Sequence, residues 1–163
     1  MFQKIILIFF LIFFIFSCSK KEDVNYIIKD KNDPYVLYNE GYEAFKEGDF
    51  FFAEKKFSEA ELNFETVEFA AKSAIMASFS YYGMNFYPEA IENLERYLKK
   101  YPADKNVVYA HYLSAIVHYE QISDEKKDLK PLLDAQNKIE FFLKNYPDTD
   151  YAIDLKFKKD LIQ

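Results

Sequence analysis

The feature that most limits what this chain can fold into is an internal repeat. Leu94-Glu95-Arg96-Tyr97-Leu98-Lys99-Lys100-Tyr101-Pro102 returns as Ile139-Glu140-Phe141-Phe142-Leu143-Lys144-Asn145-Tyr146-Pro147 at a constant offset of 45, with Ala90 and Ala135 in the same register. A weaker copy lies 37 residues upstream of the first, where Ala53, Phe57, Ala60 and Phe64 stand for Ala90, Leu94, Tyr97 and Tyr101. A unit repeated at such a period buries its apolar face only by stacking on its neighbours, so an open array of repeats is expected.

Each copy is preceded by a second segment of helical periodicity. Tyr38, Gly41, Tyr42 and Phe45 share one face, as do Ala70, Ala74, Ala77 and Tyr81, and then Tyr112, Ala115 and Tyr119. The unit is therefore helix, turn, helix. Gly48 supplies a left-handed stop and Asp49 an N-cap in the first copy, while Pro88 and Pro131 fit the first turn of the second helices in the others. Tyr-Pro at 101/102 and at 146/147 closes a unit, because proline disfavours helical geometry in the residue before it. Phe57, Leu94, Tyr97, Leu98, Ile139, Phe142 and Leu143 lie on the second-helix faces and are expected in the core.

Composition agrees with an all-α chain. Three glycines and five prolines in 163 residues cannot supply the turns of a hairpin-rich β protein, and the glycines are too scattered for a phosphate loop or a nucleophile elbow. A net charge of −6 gives no support for nucleic-acid binding, which needs clustered positive charge. His111 and His118 stand seven apart on one helix, about 10 Å along its axis and too far to share a metal ion. Glu59, Glu61, Glu89, Glu92 and Glu95 are assigned to solvent faces, and Asp124-Glu125-Lys126-Lys127-Asp128 to a solvated loop. Neither a catalytic constellation nor a cofactor or metal site is expected.

The N-terminus is a different kind of sequence. Lys4 precedes an uninterrupted apolar run from Ile5 to Phe16, which as a helix rises about 18 Å, short of a bilayer core, and so reads as the core of a signal peptide. Ile15-Phe16-Ser17-Cys18 resembles the lipobox of bacterial lipoproteins, in which the cysteine is acylated and becomes the first mature residue; Phe16 departs from the small or aliphatic residue usual there. Several acyl chains hold a protein stably at a membrane. In that resemblance Ser19 goes with delivery to the outer membrane, facing the periplasm. The chain thus divides into a signal peptide (1–17), Cys18 with a polar tether (18–33) containing a Tyr26-Ile27-Ile28 island, and a repeat domain (34–163). The units cover about 34–65, 66–102 and 106–147, and a further helix begins over 150–163. Without residues 1–17 the chain keeps 20 basic and 27 acidic residues, a charge of −7.

The unit resembles the tetratricopeptide repeat. Gly41, Gly48-Asp49-Phe50, Ala53, Phe57 and Ala60 follow that pattern in the first copy, with Glu65 in place of the closing proline; Ser78, Tyr87, Ala90, Leu94 and Pro102 follow it in the second, whose Gly83-Met84-Asn85-Phe86 turn departs from Gly-Asp. Ala115, Ala135, Ile139, Phe142 and Pro147 follow it in the third, with about eight extra residues around Ile122 to Lys130. The resemblance implies a tetratricopeptide superhelix of about three repeats plus a terminal helix. Its first helices would line a concave groove, where Tyr38, Tyr42, Tyr81, Tyr82, His111, Tyr112, His118 and Tyr119 are the candidates for gripping an extended peptide.

A lipobox followed by such repeats, together with Tyr101-Pro102 through Leu113-Ser114-Ala115, the insertion ending Asp128-Leu129-Lys130-Pro131 and the closing Tyr146-Pro147-Asp148-Thr149-Asp150-Tyr151-Ala152, resembles the BamD family of lipoproteins. The resemblance implies a non-enzymatic part of the β-barrel assembly (BAM) complex that receives unfolded outer-membrane barrel substrates and docks the POTRA region of the barrel subunit BamA and other lipoproteins. The family continues for two further repeats, whereas this sequence reaches Leu161-Ile162-Gln163 within the first helix of a fourth, so that helix is expected to expose an apolar face. The alternative is another tetratricopeptide envelope lipoprotein, one that scaffolds cell-wall or envelope complexes. Mass spectrometry of the mature N-terminus is expected to find Cys18 first and acylated; a free thiol, or cleavage elsewhere, overturns the anchor.

Overall fold

The computed structural model describes residues 33–122 and 128–163. The signal peptide, Cys18, nearly all of the tether and residues 124–127 of the charged loop lie outside them. Among the described residues seven helices follow one another: α1 (Pro34–Glu47), α2 (Phe50–Asn63), α3 (Val67–Gly83), α4 (Tyr87–Lys100), α5 (Val107–Glu120), α6 (Lys130–Asn145) and α7 (Asp150–Leu161). Each packs on the next, and α5 also meets α3 and α7, so the first helices of successive pairs stack side by side. This is a tetratricopeptide arrangement of three antiparallel pairs and one more helix.

Local chemistry sets the helix ends. Asp33 caps α1 by accepting from the Tyr35 N–H at 2.9 Å, and Asp49 caps α2 by accepting from the Phe52 N–H at 3.1 Å. Between them Gly48 sits at φ 82°, where a side chain is strained, and its N–H donates to the carbonyls of Ala44 and Phe45. The second turn lacks a glycine at its left-handed position. Asn85 takes it instead at φ 59°, its side chain accepting from the Tyr87 hydroxyl at 3.0 Å. Pro88 and Pro131 stand in the first turns of α4 and α6, and Tyr101 and Tyr146 follow the last residues of those helices.

Small residues let the helices approach. Ala53, Ala60, Ala71, Ala74, Ala77, Ala90, Ala110, Ala115, Ala135 and Ala152 are fully buried. A Cβ on Gly41 would meet Phe57 and Lys56 at 3.1 Å, so α1 lies on α2 at a separation that only glycine permits without a shift. Into these gaps project Phe57, Leu94, Tyr97, Ile139 and Phe142, all without exposure, while Leu98 and Leu143 are partly buried at the cluster edges. At the outer face of the first pair the register changes character. Where α3 offers Met76, Ala77 and Ser80 to its neighbour, α1 carries Asn39, Glu40 and Glu43, a polar face that suits water. The last helix is the opposite. Ile153, Phe157 and Leu161 are 69%, 62% and 59% exposed, 45 residues after Val108, Tyr112 and Ile116, the positions through which α5 joins the cluster containing Ala152 and Leu155 of α7.

One expectation needs correction. Glu61, assigned above to a solvent face, is 5% exposed. It accepts two hydrogen bonds of 2.6 Å from the Arg96 guanidinium, one of 3.0 Å from Lys100 and one of 2.8 Å from the Tyr101 hydroxyl. Arg96 in turn donates to Asn93 Oδ1, and the Asn93 amide donates to the Ala74 carbonyl and the Ser78 hydroxyl. The physical reason is plain: a carboxylate can leave water when its charge is matched and its oxygens are filled. α2, α3 and α4 are thereby held in one polar network across the first inter-repeat seam.

Burial pushes the Glu61 carboxyl upward, but the hydrogen bonds from Arg96, Tyr101 and Lys100 and the Arg96 charge outweigh it, and the net shift is below the usual value. A carboxylate depressed in the folded state stabilises above its unfolded pKa, and that contribution is lost as pH falls through the folded value. Glu61→Gln is expected to cost about 2 kcal/mol at neutral pH, with Arg96 and Lys100 half exposed and so only partly stranded. Urea unfolding of both proteins as a function of pH checks this: the gap narrows below about pH 4, and a constant gap refutes the ionic reading.

Candidate functional site

Because the first helices stack directly, their side chains form a continuous face, and the 37-residue spacing lays it out in rows. Tyr35, Lys72 and Tyr109 make one row, Tyr38, Ile75 and Tyr112 a second, Tyr42, Phe79 and Ile116 a third, and Phe45, Tyr82 and Tyr119 a fourth. Aromatic contacts run across the helices in this register. The Lys72 ammonium lies 4.9 Å from the Tyr38 ring centroid, joining α3 to α1, and Phe45 meets Phe79 at 5.3 Å. Phe79 stacks on Tyr82 at 5.9 Å, and Tyr82 touches both the central and the C-terminal clusters.

From α5 to α7 the same pattern continues. Tyr112 stacks on Tyr151 at 4.6 Å and Tyr109 meets Tyr151 at 5.8 Å. The Tyr112 hydroxyl donates to Asp154 at 3.0 Å; burial and that neighbouring carboxylate both raise its pKa, so it stays a neutral donor. The Lys158 ammonium sits 5.0 Å from the Tyr119 ring, a cation–π pair like that of Lys72 with Tyr38. Tyr42 is the most open of the eight candidates, 43% exposed, with Lys46 reaching over it at 5.2 Å.

Five of the eight candidates, Tyr38, Tyr42, Tyr82, Tyr112 and Tyr119, therefore share this face. The other three point elsewhere. Tyr81 turns toward the second helices, its pKa raised to about 12 by burial and by the neighbouring Glu54 carboxylate of α2. His118 is 7% exposed, with Nδ1–H donating to the Ser114 carbonyl at 2.8 Å, and burial lowers its pKa. The His111 ring lies 5.0 Å from Phe141 and 5.7 Å from Tyr146, and burial together with the Lys138 charge lowers its pKa as well. The register explains the division: Tyr81 and His118 share a row with buried Ala44, and His111 shares one with buried Leu37 and Ala74. The same rows also place Tyr35, Lys72, Phe79 and Tyr109 on this face, residues outside the eight candidates that the 37-residue register picks out.

The face presents flat aromatic area, phenol tips and the ammonium groups of Lys72 and Lys158. Among the described residues no three of His, Cys, Asp and Glu converge as a metal site requires, and no helix is long and apolar enough to cross a membrane. An open depression of about 680 Å³ lies against α1 and the start of α2, lined by Val36, Glu40, Glu43, Glu47 and Phe52 among others. Two of its acids are already paired, Glu40 with Lys56 and Glu43 with Lys46.

Comparison with known proteins places this geometry. Residues 30–163 match the family described as YfiO, outer membrane lipoprotein. The outer membrane protein assembly factor BamD of Caulobacter vibrioides is 34% identical over 95 residues, 58% of this chain and 31% of that protein. The BamD of Rickettsia prowazekii is 28% identical over 146 residues, 90% of this chain and 57% of that protein. The chain thus spans between about a third and somewhat over half the length of these relatives. The Arabidopsis OM64 TPR domain superimposes with a TM-score of 0.55 at 14% identity, over 79% of this chain and 93% of that one, a likeness of fold alone. With a repeat array matched over nearly all of its length and relatives named for outer-membrane assembly, the chain belongs to the YfiO/BamD family of outer membrane lipoproteins.

Proposed function

We propose that this protein is a non-enzymatic BamD-type assembly factor, held by an acylated Cys18 at the outer membrane and facing the periplasm as part of the BAM complex. Its first-helix face takes up an extended, aromatic-ended segment of an unfolded β-barrel client. Its C-terminal side docks the POTRA region of BamA and other lipoproteins. The observation that carries client binding is the continuous aromatic face running over α1, α3, α5 and α7, with the ammoniums of Lys72 and Lys158 over tyrosine rings. Family membership and the repeat fold support the setting. The exposed stripe of Ile153, Phe157 and Leu161, in the register through which α5 receives α7, supports docking beyond α7.

Because Tyr42 is open and shares its row with Phe79 and Ile116, Tyr42→Ala removes contact area without opening a core. Fluorescence titration with a barrel C-terminal peptide is expected to show about tenfold weaker binding for Tyr42→Ala and for Tyr38→Ala. Tyr81→Ala, on the other side of α3, is expected to bind within about twofold of the unaltered protein while losing about 1–3 kcal/mol of stability. Equal binding by all four proteins, or none, removes the groove assignment. In cells, crosslinking from α7 captures the barrel subunit on this reading, and capture of cell-wall enzymes instead favours a different envelope scaffold.

A further inference from the structure

The two edges of the array, where helices turn back, differ in what reaches them. On one edge lie the start of α1, the end of α2 and the start of α3. Tyr35, Phe64 and Phe69 form a closed aromatic triangle there, with centroids 5.0, 5.3 and 5.3 Å apart. Flanking Phe64 and Phe69 in the chain, Leu62 is 81% exposed and Val67 68%, and Tyr35 itself is 53% exposed. Together with the aromatic triangle they make one contiguous apolar patch, the kind of surface that marks a contact site.

The chain also enters the domain at this edge, since α1 begins at Pro34. Fifteen residues separate it from Cys18, which at about 3.3 Å each reach some 50 Å at most, so the edge can touch any surface to which Cys18 is fixed. We propose that the α2–α3 turn and the first turn of α1 form a membrane-contacting edge, with Leu62, Val67 and Tyr35 seated in the interface of the phospholipid leaflet that carries the anchor. The proposal rests on Cys18 as the point of attachment.

Chemistry sets the depth and the lipid. Glu65 and Thr66 lie within the turn and must remain hydrated, so the edge enters the headgroup region and not the hydrocarbon. Glu68 is paired with Lys105 at 2.6 Å, and among the described residues no surplus of positive charge gathers there, which suits zwitterionic headgroups better than an anionic surface. A patch of three side chains binds weakly alone. A short tether raises its effective concentration, so attachment and insertion reinforce each other.

The opposite edge is the internal control. Phe51, 70% exposed, stands eleven residues before Leu62 on the same helix, about 16 Å away along its axis. The chain contains no tryptophan and only one cysteine, so single reporters are clean. The mature chain from Cys18 is coupled through that thiol to maleimide-phosphatidylethanolamine in phosphatidylcholine/phosphatidylethanolamine vesicles, carrying either Leu62→Trp or Phe51→Trp. Leu62→Trp is expected to shift to the blue on coupling and to be quenched by spin-labelled lipid at least about threefold more than Phe51→Trp; adding Val67→Glu returns it to the aqueous spectrum. Equal quenching at both edges, or none at Leu62→Trp, overturns the proposal. So does a blue shift at Leu62→Trp already present without vesicles and unaffected by spin-labelled lipid, which indicates cover by the chain's own tether. Chemical coupling makes the outcome independent of whether cells acylate Cys18, which the mass of the native N-terminus decides separately.

Discussion

A helix pair of this kind cannot bury its own apolar face, and everything else in the molecule depends on that. Phe57, Leu94 and Ile139 are fully covered because helices from neighbouring pairs close over them, and they close because alanine and glycine line the approach. Volume is therefore distributed in a fixed way: one large side chain per gap, small ones around it. A larger residue at Gly41 would push α1 from α2, and the aromatic rows on the first helices would lose their spacing.

On the proposed binding face the tyrosines are also packing residues. Tyr38 rests on Phe57 at 5.3 Å while its other side meets Lys72. Tyr112 leans on Phe142, stacks on Tyr151 and keeps its hydroxyl on Asp154. Such rings are held before any ligand arrives, so little side-chain entropy remains to be lost on binding.

The second helices were legible in the sequence because apolar spacing and the Tyr-Pro punctuation repeat there almost unchanged. So were the capped turn at Gly48-Asp49 and the open apolar face of α7. Glu61 was not. Its partners lie 35 to 40 residues away, and nothing local separates a buried acid from the solvated Glu59 two positions earlier. The direction of Tyr81, His111 and His118 was hidden for a different reason: an aromatic or imidazole ring serves either side of a helix, and only the small residues at the same place in earlier copies reveal which side is crowded. Residue type alone does not sort the candidates, and register shows which of them share the first-helix face.

The polar network around Glu61 also governs how the array deforms. It ties α2, α3 and α4 by directional bonds that resist rotation of the first pair against the second. Between the second and third pairs the described ion pairs are the exposed Lys105–Glu68 and Lys138–Glu95, weak and easily exchanged with water, and the part-buried polar contact is the single Tyr97 hydroxyl on Asp104 beside a largely apolar seam. The superhelix is thus a spring with one stiff joint and one compliant joint. Under the proposed function, a client chain laid along the first helices would meet a fixed pitch over α1 and α3 and an adjustable one from α5 onward, so that segments of differing twist could be held without reshaping the N-terminal end.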